Sequence, residues 1–557
     1  MSFDPVHLEV LWNRLLSVAN EQQTTLVRTA FSTIVRESLD LACGIFDARG
    51  RMVAQSLTGT PGHINPMATG AKHLLAAYPP ETLSPGDVLI TNDPWLTAGQ
   101  VNDFTVLSPV FRGDRIVAYF SNCCHSPDVG GRILSAEAHE VFEEGLQVPI
   151  TKLFVQGEPN EELIKIIRAN VRTPDETVGD LYAQAASNAV GARSLLQMMD
   201  EFQLETIEPL SDAIISRSEQ AMRDGIAALP DGRYTHTLFS DGFEQPLRIR
   251  VAVTIDGDAL TIDFDGSSEQ SRRGINVVFN YTQGYASFAM KAAISPDVPH
   301  NEGAFRPVRV VAPEGSILNC RRPAAVASRH LVGHFLPSAI FGALAQAVPD
   351  RVLAGSADPI WMSVWRGDRS NLTLFMLGGM GARPTKDGLN TTGFPSGVAG
   401  VPTEVVETQA PLLVEQKALR PNSGGAGENR GGLGQCIRLR YRGESDGSVS
   451  GMVDRIDYAA AGLHGATSGA TGRFEMNDEA VTPKTVLTLH QDDRVTMATP
   501  GAGGYGDPKQ RDPQAVLADV IDGYLTIEEA ERAYGVTIRF NGASDALVRL
   551  PEDYEIV

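Results

Sequence analysis

The 557-residue sequence predicts an α+β protein with a mixed multi-layer architecture, in which antiparallel hairpins lie beside separate helical segments. Three observations predict this class: a long amphipathic segment at the N-terminus, two predicted β-hairpins, and a block of helices between those hairpins. Helices and strands follow one another without a strict βαβ alternation, which argues against a doubly wound parallel sheet.

The N-terminal elements differ in the spacing of their apolar residues. From Pro5 to about Ile34 these residues recur at helical spacing, which predicts one long helix. The pattern then changes, residues 104–111 and 115–123 are predicted as two strands, and Gly113 between them allows the tight turn of a hairpin. A helix followed by an antiparallel pair is therefore expected.

A second hairpin and a helical block come next. Apolar residues alternate over 247–255 up to Asp256-Gly257, and alternate again over 260–264. Between the two hairpins, residues 160–226 carry apolar residues at helical spacing and predict a block of helices.

The C-terminal half mixes helices, loops and short strands. An apolar segment predicts a helix over about 333–347, and the Gly- and Pro-rich stretch 370–440 predicts ordered loops between short strands. Near the end, Thr526 has the spacing of a capping box and Gly535 is a helix stop, so a helix is expected between them.

These elements divide the chain into four regions. They are an N-terminal α+β region with a candidate metal site, a helical block, a central β-rich region with a glycine-rich loop, and a C-terminal β region ending in a helix. Their predicted ranges are 1–160, 161–235, 236–440 and 441–557.

Composition limits the class of partner. The formal net charge is -21, because 68 Asp and Glu residues outnumber 47 Lys and Arg residues. A surface this acidic repels nucleic acids and anionic lipids. Small molecules or another protein are therefore the expected partners, with no nucleic acid and no membrane.

Cysteine usage and hydropathy indicate a compartment. The five cysteines are an odd number without metal-finger spacing, which favours a reducing environment. The N-terminal segment lacks the pattern of a signal peptide, and no run of about 18 apolar residues is present. We expect a cytoplasmic protein.

Asp103 and His125 are the first candidate site residues. They lie at the open end of the first hairpin, where a turn centred at residue 114 places them directly opposite and one centred at 113.5 makes them diagonal neighbours. A carboxylate and an imidazole held together here suit a divalent metal or acid–base chemistry. The alternative is a simple hydrogen bond at a strand end.

Other polar residues fall in predicted loops. Arg36-Glu37, Asp40, His63 and the Asn92-Asp93-Pro94 segment are each more typical of turns than of sites when taken singly. The glycine-rich stretches 423–434 and 499–508 lack the spacing of a nucleotide-binding loop, so we expect loops packed against the core. No GxSxG elbow, HExxH helix or CxxC pair occurs.

Seven motifs in order carry a resemblance. They are RESLDLACGIFDARGRMVAQS, GHINPM, LITNDPWLTAGQVNDFTVLSPVF, HSPDVGG, FEEGLQVPITKL, NSGGAGENRGGLG and TPGAGGYGDP. Together they resemble the hydantoinase B/oxoprolinase family over about residues 5–536. The resemblance implies an ATP-dependent machine of two components. In such a machine a hydantoinase A-like partner binds ATP-Mg and phosphorylates the substrate, and the B-like chain completes the reaction.

The family's metal site is carried over by the same resemblance. Its GxHxxD segment matches Gly99, Gln100 and Asp103, its later His matches His125, and an acidic residue of its first motif matches Asp40. The implied ligands of a Zn, Mn or Mg ion are therefore Asp40, Gln100, Asp103 and His125, and the implied catalytic residues are His125, Asp40 and Asp103. Gln100 departs from the family's His, and a neutral amide oxygen is a weak ligand.

The resemblance leaves three functions open. The first is the B-type subunit of an ATP-dependent hydrolase of cyclic amides, acting in a hetero-oligomer. The second is a subunit of an ATP-dependent ketone carboxylase of the acetone or acetophenone type. The third is a non-catalytic subunit that scaffolds its partner.

Overall fold

The N-terminal third of the chain folds around a seven-stranded antiparallel sheet in a computed structural model, which describes residues 3–368, 370–542 and 550–557. From edge to edge the strands are Met52–Gln55, Leu41–Asp47, Arg115–His125, Asp103–Arg112, Val88–Thr91, Thr151–Val155 and Glu158–Pro159. The predicted α+β class, with antiparallel hairpins, a long N-terminal helix and a helical block, is confirmed.

The first hairpin sets the register at the candidate site. Beside the turn, Arg112 pairs with Arg115, but a bulge between Val110 and Phe111 shifts the pairing by one residue. Asp103 consequently pairs directly with His125. The predicted hairpin is confirmed, and the bulge decides which of the two predicted alignments is realised.

The N-terminal helix is shorter than predicted. It spans Pro5–Thr29, and a separate short helix covers Thr33–Arg36. The break has a clear cause, because the backbone N–H groups of Phe31 and Ser32 donate to the Asp180 carboxylate instead of continuing the helical ladder.

The predicted helical block is present and covers one face of the first sheet. Its longest helix contacts the N-terminal helix and the strands of the first hairpin. Buried amides join these layers, since Asn122 donates to Asn188 at 2.8 Å and Gln184 donates to Asn122 at 2.9 Å. The helices are Glu161–Asn170, Pro174–Glu201 and Glu208–Ala227.

A second sheet contains the second predicted hairpin, which is confirmed. Three of its strands are antiparallel, and the edge strand Val308–Val311 is parallel to its neighbour. The other strands, in order, are Ala259–Asp263, Leu247–Asp256 and Gly232–Ser240. The helix Phe335–Leu344 packs on this sheet and on the helix Phe279–Ile294. The predicted helix over 333–347 is thus present with tighter bounds.

Two further antiparallel sheets form the C-terminal half. One has the strand order Ser370–Met376, Trp361–Gly367, Gly447–Met452 and Val486–Leu489. The other has the order Leu412–Leu419, Gln435–Tyr441, Arg494–Ala498, Arg473–Met476 and Glu479–Ala480. The helix Thr403–Gln409 packs on Leu412–Leu419.

The glycine-rich stretches 423–434 and 499–508 pack against each other, as the core-packed loop interpretation predicted. Gly425 donates to the Ala502 carbonyl at 2.8 Å, and Asn429 and Tyr505 exchange backbone hydrogen bonds. A Cβ at Gly432 would lie 2.7 Å from the Met380 nitrogen, so the close approach requires glycine.

The last predicted helix begins and ends as expected, but it does not end the chain. Thr526 accepts from the Glu529 N–H, and Gly535 closes the helix in the left-handed conformation. A short antiparallel pair, Ile538–Phe540 and Tyr554–Ile556, follows because its buried Ile538 and Tyr554 complete the small C-terminal apolar cluster. The expectation of a C-terminal region ending in a helix is corrected.

The remaining helical segments are short or border the sheets. They are Pro61–Ala77, Pro80–Thr82, Val141–Glu143, Glu302–Phe305, His330–Gly333, Pro349–Arg351, Pro508–Gln510, Pro513–Ile521, Ile527–Glu529, Ala530–Tyr534 and Pro551–Asp553. Across the described ranges, no helix is long and apolar enough to cross a membrane.

Candidate functional site

A small cavity lies at the open end of the first hairpin. Its volume is about 30 Å³, which is enough for a water molecule or an ion. One side is polar and comes from the N-terminal region and from the segment around Arg329, while the other side is largely apolar. The lining residues are Asp40, Thr60, His63, Gln100, His125, Tyr281, Arg329, His330, His334, Ile360, Met362, Phe375, Ser396 and Val398.

Asp103 and His125 form a buried pair at this cavity. The His125 Nδ1 lies 3.0 Å from the Asp103 Oδ1, and both side chains are almost fully excluded from solvent. The His125 Nε2 is buried and has no hydrogen-bond partner among the described residues. When Nδ1 donates to the carboxylate, Nε2 carries the free lone pair. The arrangement therefore holds a base at the cavity.

His63 is a site residue in a segment whose composition is typical of a turn. It lies instead in the first turn of the helix Pro61–Ala77, where Pro61 is a helix-start signal and Gly62 and the internal Pro66 are residues more typical of a turn. Its Nε2 is 3.3 Å from the Asp103 Oδ2, and its Nδ1 is 3.6 Å from the Asp40 Oδ1. His63 thus bridges two carboxylates that are far apart along the chain.

Asp40 approaches the pair from the start of the strand Leu41–Asp47. The preceding Leu39 has a φ of 58°, which turns the chain before the strand. The Asp40 Oδ1 accepts from the Thr60 hydroxyl at 3.0 Å, and its Oδ2 lies 3.9 Å from the His125 Nδ1. Asp40 therefore lines the same cavity, at a longer distance from His125 than Asp103.

Arg329 is the main site residue that sequence reasoning missed. Its guanidinium donates to the Asp103 Oδ2, to the Gln100 Oε1 and, at 2.8 Å, to the Ala98 carbonyl. The group also lies 4.3 Å from the centre of the Tyr281 ring, a cation–π contact. A fully buried cation is thus fixed on four sides.

Two neutral histidines follow Arg329 along the chain. The His334 Nε2 lies 3.2 Å from the Tyr281 hydroxyl and 3.0 Å from the Tyr285 hydroxyl, while the His330 Nε2 is buried without a partner among the described residues. The signal in the sequence was two histidines at the start of an otherwise apolar helix, a costly placement unless they serve a site.

Electrostatics around the pair follow from burial and from Arg329. Although burial opposes ionisation of Asp103, Arg329 and His63 hold the pKa of that carboxyl well below its usual value. Burial likewise opposes a charge on His63, but Asp103 and Asp40 raise its pKa. Burial, reinforced by Arg329, lowers the pKa of His330 to about 3. The site therefore combines an ionised carboxylate and a fixed cation with a neutral imidazole.

The donor set does not fit the metal site that the resemblance implied. Two of the four implied ligands are already engaged, since the Gln100 Oε1 and the Asp103 Oδ2 accept hydrogen bonds from Arg329. Among the described residues no group of three or more His, Cys, Asp or Glu side chains is arranged to hold a metal ion. The metal ion stays a prediction from the resemblance alone.

The fold and the site define a class: an α+β protein with a buried Asp–His–Arg centre at one end of an antiparallel hairpin. The family model described as hydantoinase B/oxoprolinase matches residues 4–508. The chain belongs to the hydantoinase B/oxoprolinase family.

Two relatives match nearly the full length of the chain. A protein of Pseudomonas sp. strain NS671, provisionally named as the B-type subunit of a D-/L-hydantoinase, is 31% identical over 96% of this chain and 95% of its own length. The beta subunit of the caprolactamase of Pseudomonas jessenii is 29% identical over 97% of both chains.

Solved structures share the fold. A crystal structure of ATP-dependent caprolactamase from Pseudomonas jessenii matches with a TM-score of 0.89 and 27% identity, covering 98% of both chains. A nucleotide-free acetone carboxylase matches with a TM-score of 0.88 over 99% of this chain and 81% of its own, at 19% identity. The second match concerns the fold alone.

Proposed function

We propose that this chain is the B-type subunit of an ATP-dependent hydrolase of cyclic amides. In this proposal a hydantoinase A-like partner phosphorylates the amide oxygen with ATP and Mg²⁺, and this chain hydrolyses the activated amide. The hydantoinase and caprolactamase relatives support it, because hydantoin and caprolactam are both cyclic amides. Their names also describe them as subunits, which supports a hetero-oligomer.

The observation that carries the proposal is the free Nε2 of His125 at the cavity. Asp103 accepts from the Nδ1 of that imidazole, so the tautomer with a basic Nε2 is held in place. A base in this position takes a proton from water as the water oxygen bonds to the activated carbon. Asp103 acts as its orienting partner, and Asp40 is the second carboxylate beside it.

Phosphorylation explains why a base of this kind is sufficient. A phosphorylated amide oxygen withdraws electrons, so the ring carbon accepts water more readily than in the free amide. The ring C–N bond then breaks, the nitrogen leaves with a proton, and the remaining acyl phosphate is hydrolysed to the acid and inorganic phosphate. The small volume of the cavity and its largely apolar side limit the number of water molecules beside the base.

The test uses this chain purified with a hydantoinase A-like protein from the same organism. ADP release and ring-opened product are measured with lactams and hydantoins, and with ketones, each with and without bicarbonate. Cyclic-amide opening without bicarbonate is expected. Carboxylated ketone formed only with bicarbonate would contradict the proposal.

A pair of variants tests the role of His125. His125→Gln should reduce product formation by about 10²-fold or more, the usual contribution of a general base. The matched control is His490→Gln, because His490 also pairs with an aspartate, at 2.9 Å from Asp446, but its side chain is 67% exposed. Unchanged turnover in His125→Gln would instead favour a scaffolding role.

A further inference from the structure

We propose that the guanidinium of Arg329 is the resident cation of this site and takes the position of a divalent ion between Gln100 and Asp103. The protein therefore binds no metal at its Asp–His centre. This inference concerns the composition of the site and does not depend on which substrate is turned over.

The first support is the way in which Arg329 is held. A cation buried from solvent needs compensating partners, and the guanidinium has a carboxylate oxygen, an amide oxygen and a carbonyl oxygen as acceptors, with the Tyr281 ring against it. Removing Asp103 would leave the buried charge without its counter-charge. The position is built for this cation.

The second support is the chemistry of Gln100. Its Oε1 accepts from Arg329, and its Nε2 donates to the Ala327 carbonyl at 2.6 Å. An amide can do both at once, whereas an imidazole that gives the lone pair of one nitrogen to a metal carries an N–H on the other nitrogen and cannot accept from a guanidinium. Gln100 and Arg329 are therefore complementary, and a divalent ion beside Arg329 would meet a like charge.

The third support is the remaining capacity of the guanidinium. Arg329 has five N–H groups, and within the described parts of the chain three of them bind protein oxygens. Two N–H groups thus remain without a protein oxygen, on a side chain that lines the cavity. If the proposed function holds, a phosphoryl oxygen of the activated amide is the anionic atom that they would meet, because guanidinium groups bind phosphate oxygens.

Metal content of the purified chain is the direct test. The wild-type chain is incubated with Zn²⁺ or Mn²⁺, desalted and analysed by mass spectrometry of the bound metal. Substantially less than one ion per chain is expected, for wild type and for Gln100→His alone. One tightly bound ion per chain in either protein would overturn the inference, whatever the outcome of the activity assays.

A double variant tests whether a metal ion binds once the Arg329 cation is removed. Gln100→His combined with Arg329→Met removes the cation and supplies an imidazole beside Asp103. About one metal ion per chain is therefore expected to bind. Circular dichroism checks that the double variant is folded. A folded double variant that stays metal-free would contradict the inference. If the double variant does not fold, the wild-type and Gln100→His measurements decide alone.

Activity separates this inference from the proposed function. In the assembled complex, a chelator that leaves ATP-Mg in excess on the partner should change ring opening less than twofold. Arg329→Lys, which keeps the charge, should retain more activity than Arg329→Met. Loss of activity on chelation, restored by one added ion per chain, would overturn the inference while leaving the proposed function intact.

Discussion

Gly62 offers a quantitative test of how the site is packed. It lies in the first turn of the helix that carries His63, directly against the two buried tyrosines. A Cβ added at Gly62 would lie 2.9 Å from the Tyr285 Cε2 and 3.0 Å from the Tyr281 Cζ, and closer still to the Tyr281 Cε2. Cβ atoms in proteins do not approach other carbon atoms this closely, so the tyrosine rings or the helix backbone would have to shift.

The Tyr281 ring has no room to move away. On its other side a Cβ at Gly333 would lie 2.7 Å from the Tyr281 Cδ1, so two glycines clamp the ring, and Arg329 stacks on it. Overpacking of a rigid core costs about 1–3 kcal/mol, and the clamp places Gly62→Ala near the upper end. For 557 residues the unfolding entropy is about 1.2 kcal/mol/K, so the thermal midpoint should fall by about 2–3 °C.

The assay is differential scanning fluorimetry with a matched glycine-to-alanine control. Gly400 is suitable, since a Cβ there meets no atom closer than the Phe375 carbonyl oxygen at 3.9 Å. Gly400→Ala should leave the midpoint within about 1 °C of wild type, because a new methyl group at ordinary contact distance costs little. If Gly62→Ala has the same thermal midpoint as Gly400→Ala, the Tyr281 ring is not held between the two glycines as described.

Three further predictions concern charge and backbone geometry. Asp103→Asn should destabilise the protein by about 3–5 kcal/mol because it leaves Arg329 buried without its counter-charge. Adding Arg329→Met to this variant should recover part of the lost stability. If the two substitutions instead lower the thermal midpoint additively, the two residues are not coupled. Burial raises the pKa of Glu144 from 4.5 to about 8, so its contribution to stability is fully present below about pH 4.5 and is lost as the pH rises towards 8, at up to about 1.4 kcal/mol per pH unit. The Glu144→Gln variant has no carboxyl group to titrate and lacks this loss. The thermal midpoint of the variant relative to that of wild type should therefore rise between about pH 5 and pH 8. If the difference between the two midpoints does not change with pH, the pKa of Glu144 is not raised. Gly432→Val should sharply reduce soluble yield, because its Cβ would lie 2.7 Å from the Met380 nitrogen, and normal yield would show that the two glycine-rich loops tolerate separation.

The local elements were determined by the sequence. Apolar runs on both sides of Gly113 predict the first hairpin, and the symmetry of its numbering about residue 114 brings Asp103 and His125 to one end without any knowledge of the rest of the fold. The capping residue Thr526 and the stop at Gly535 are equally local signals. Such features depend on backbone preferences within a few residues, and they can therefore be predicted from the sequence.

Tertiary packing decided the rest of the site. Arg329 is separated from Asp103 by 226 positions along the chain, so no local pattern brings them together. His63 was hidden because its helix begins in a stretch with the composition of a turn, and the bulge beside Val110 selects one of two alignments that the sequence left open. The partners of a buried charge are set by which distant elements exclude water around it, and only the folded chain fixes that arrangement.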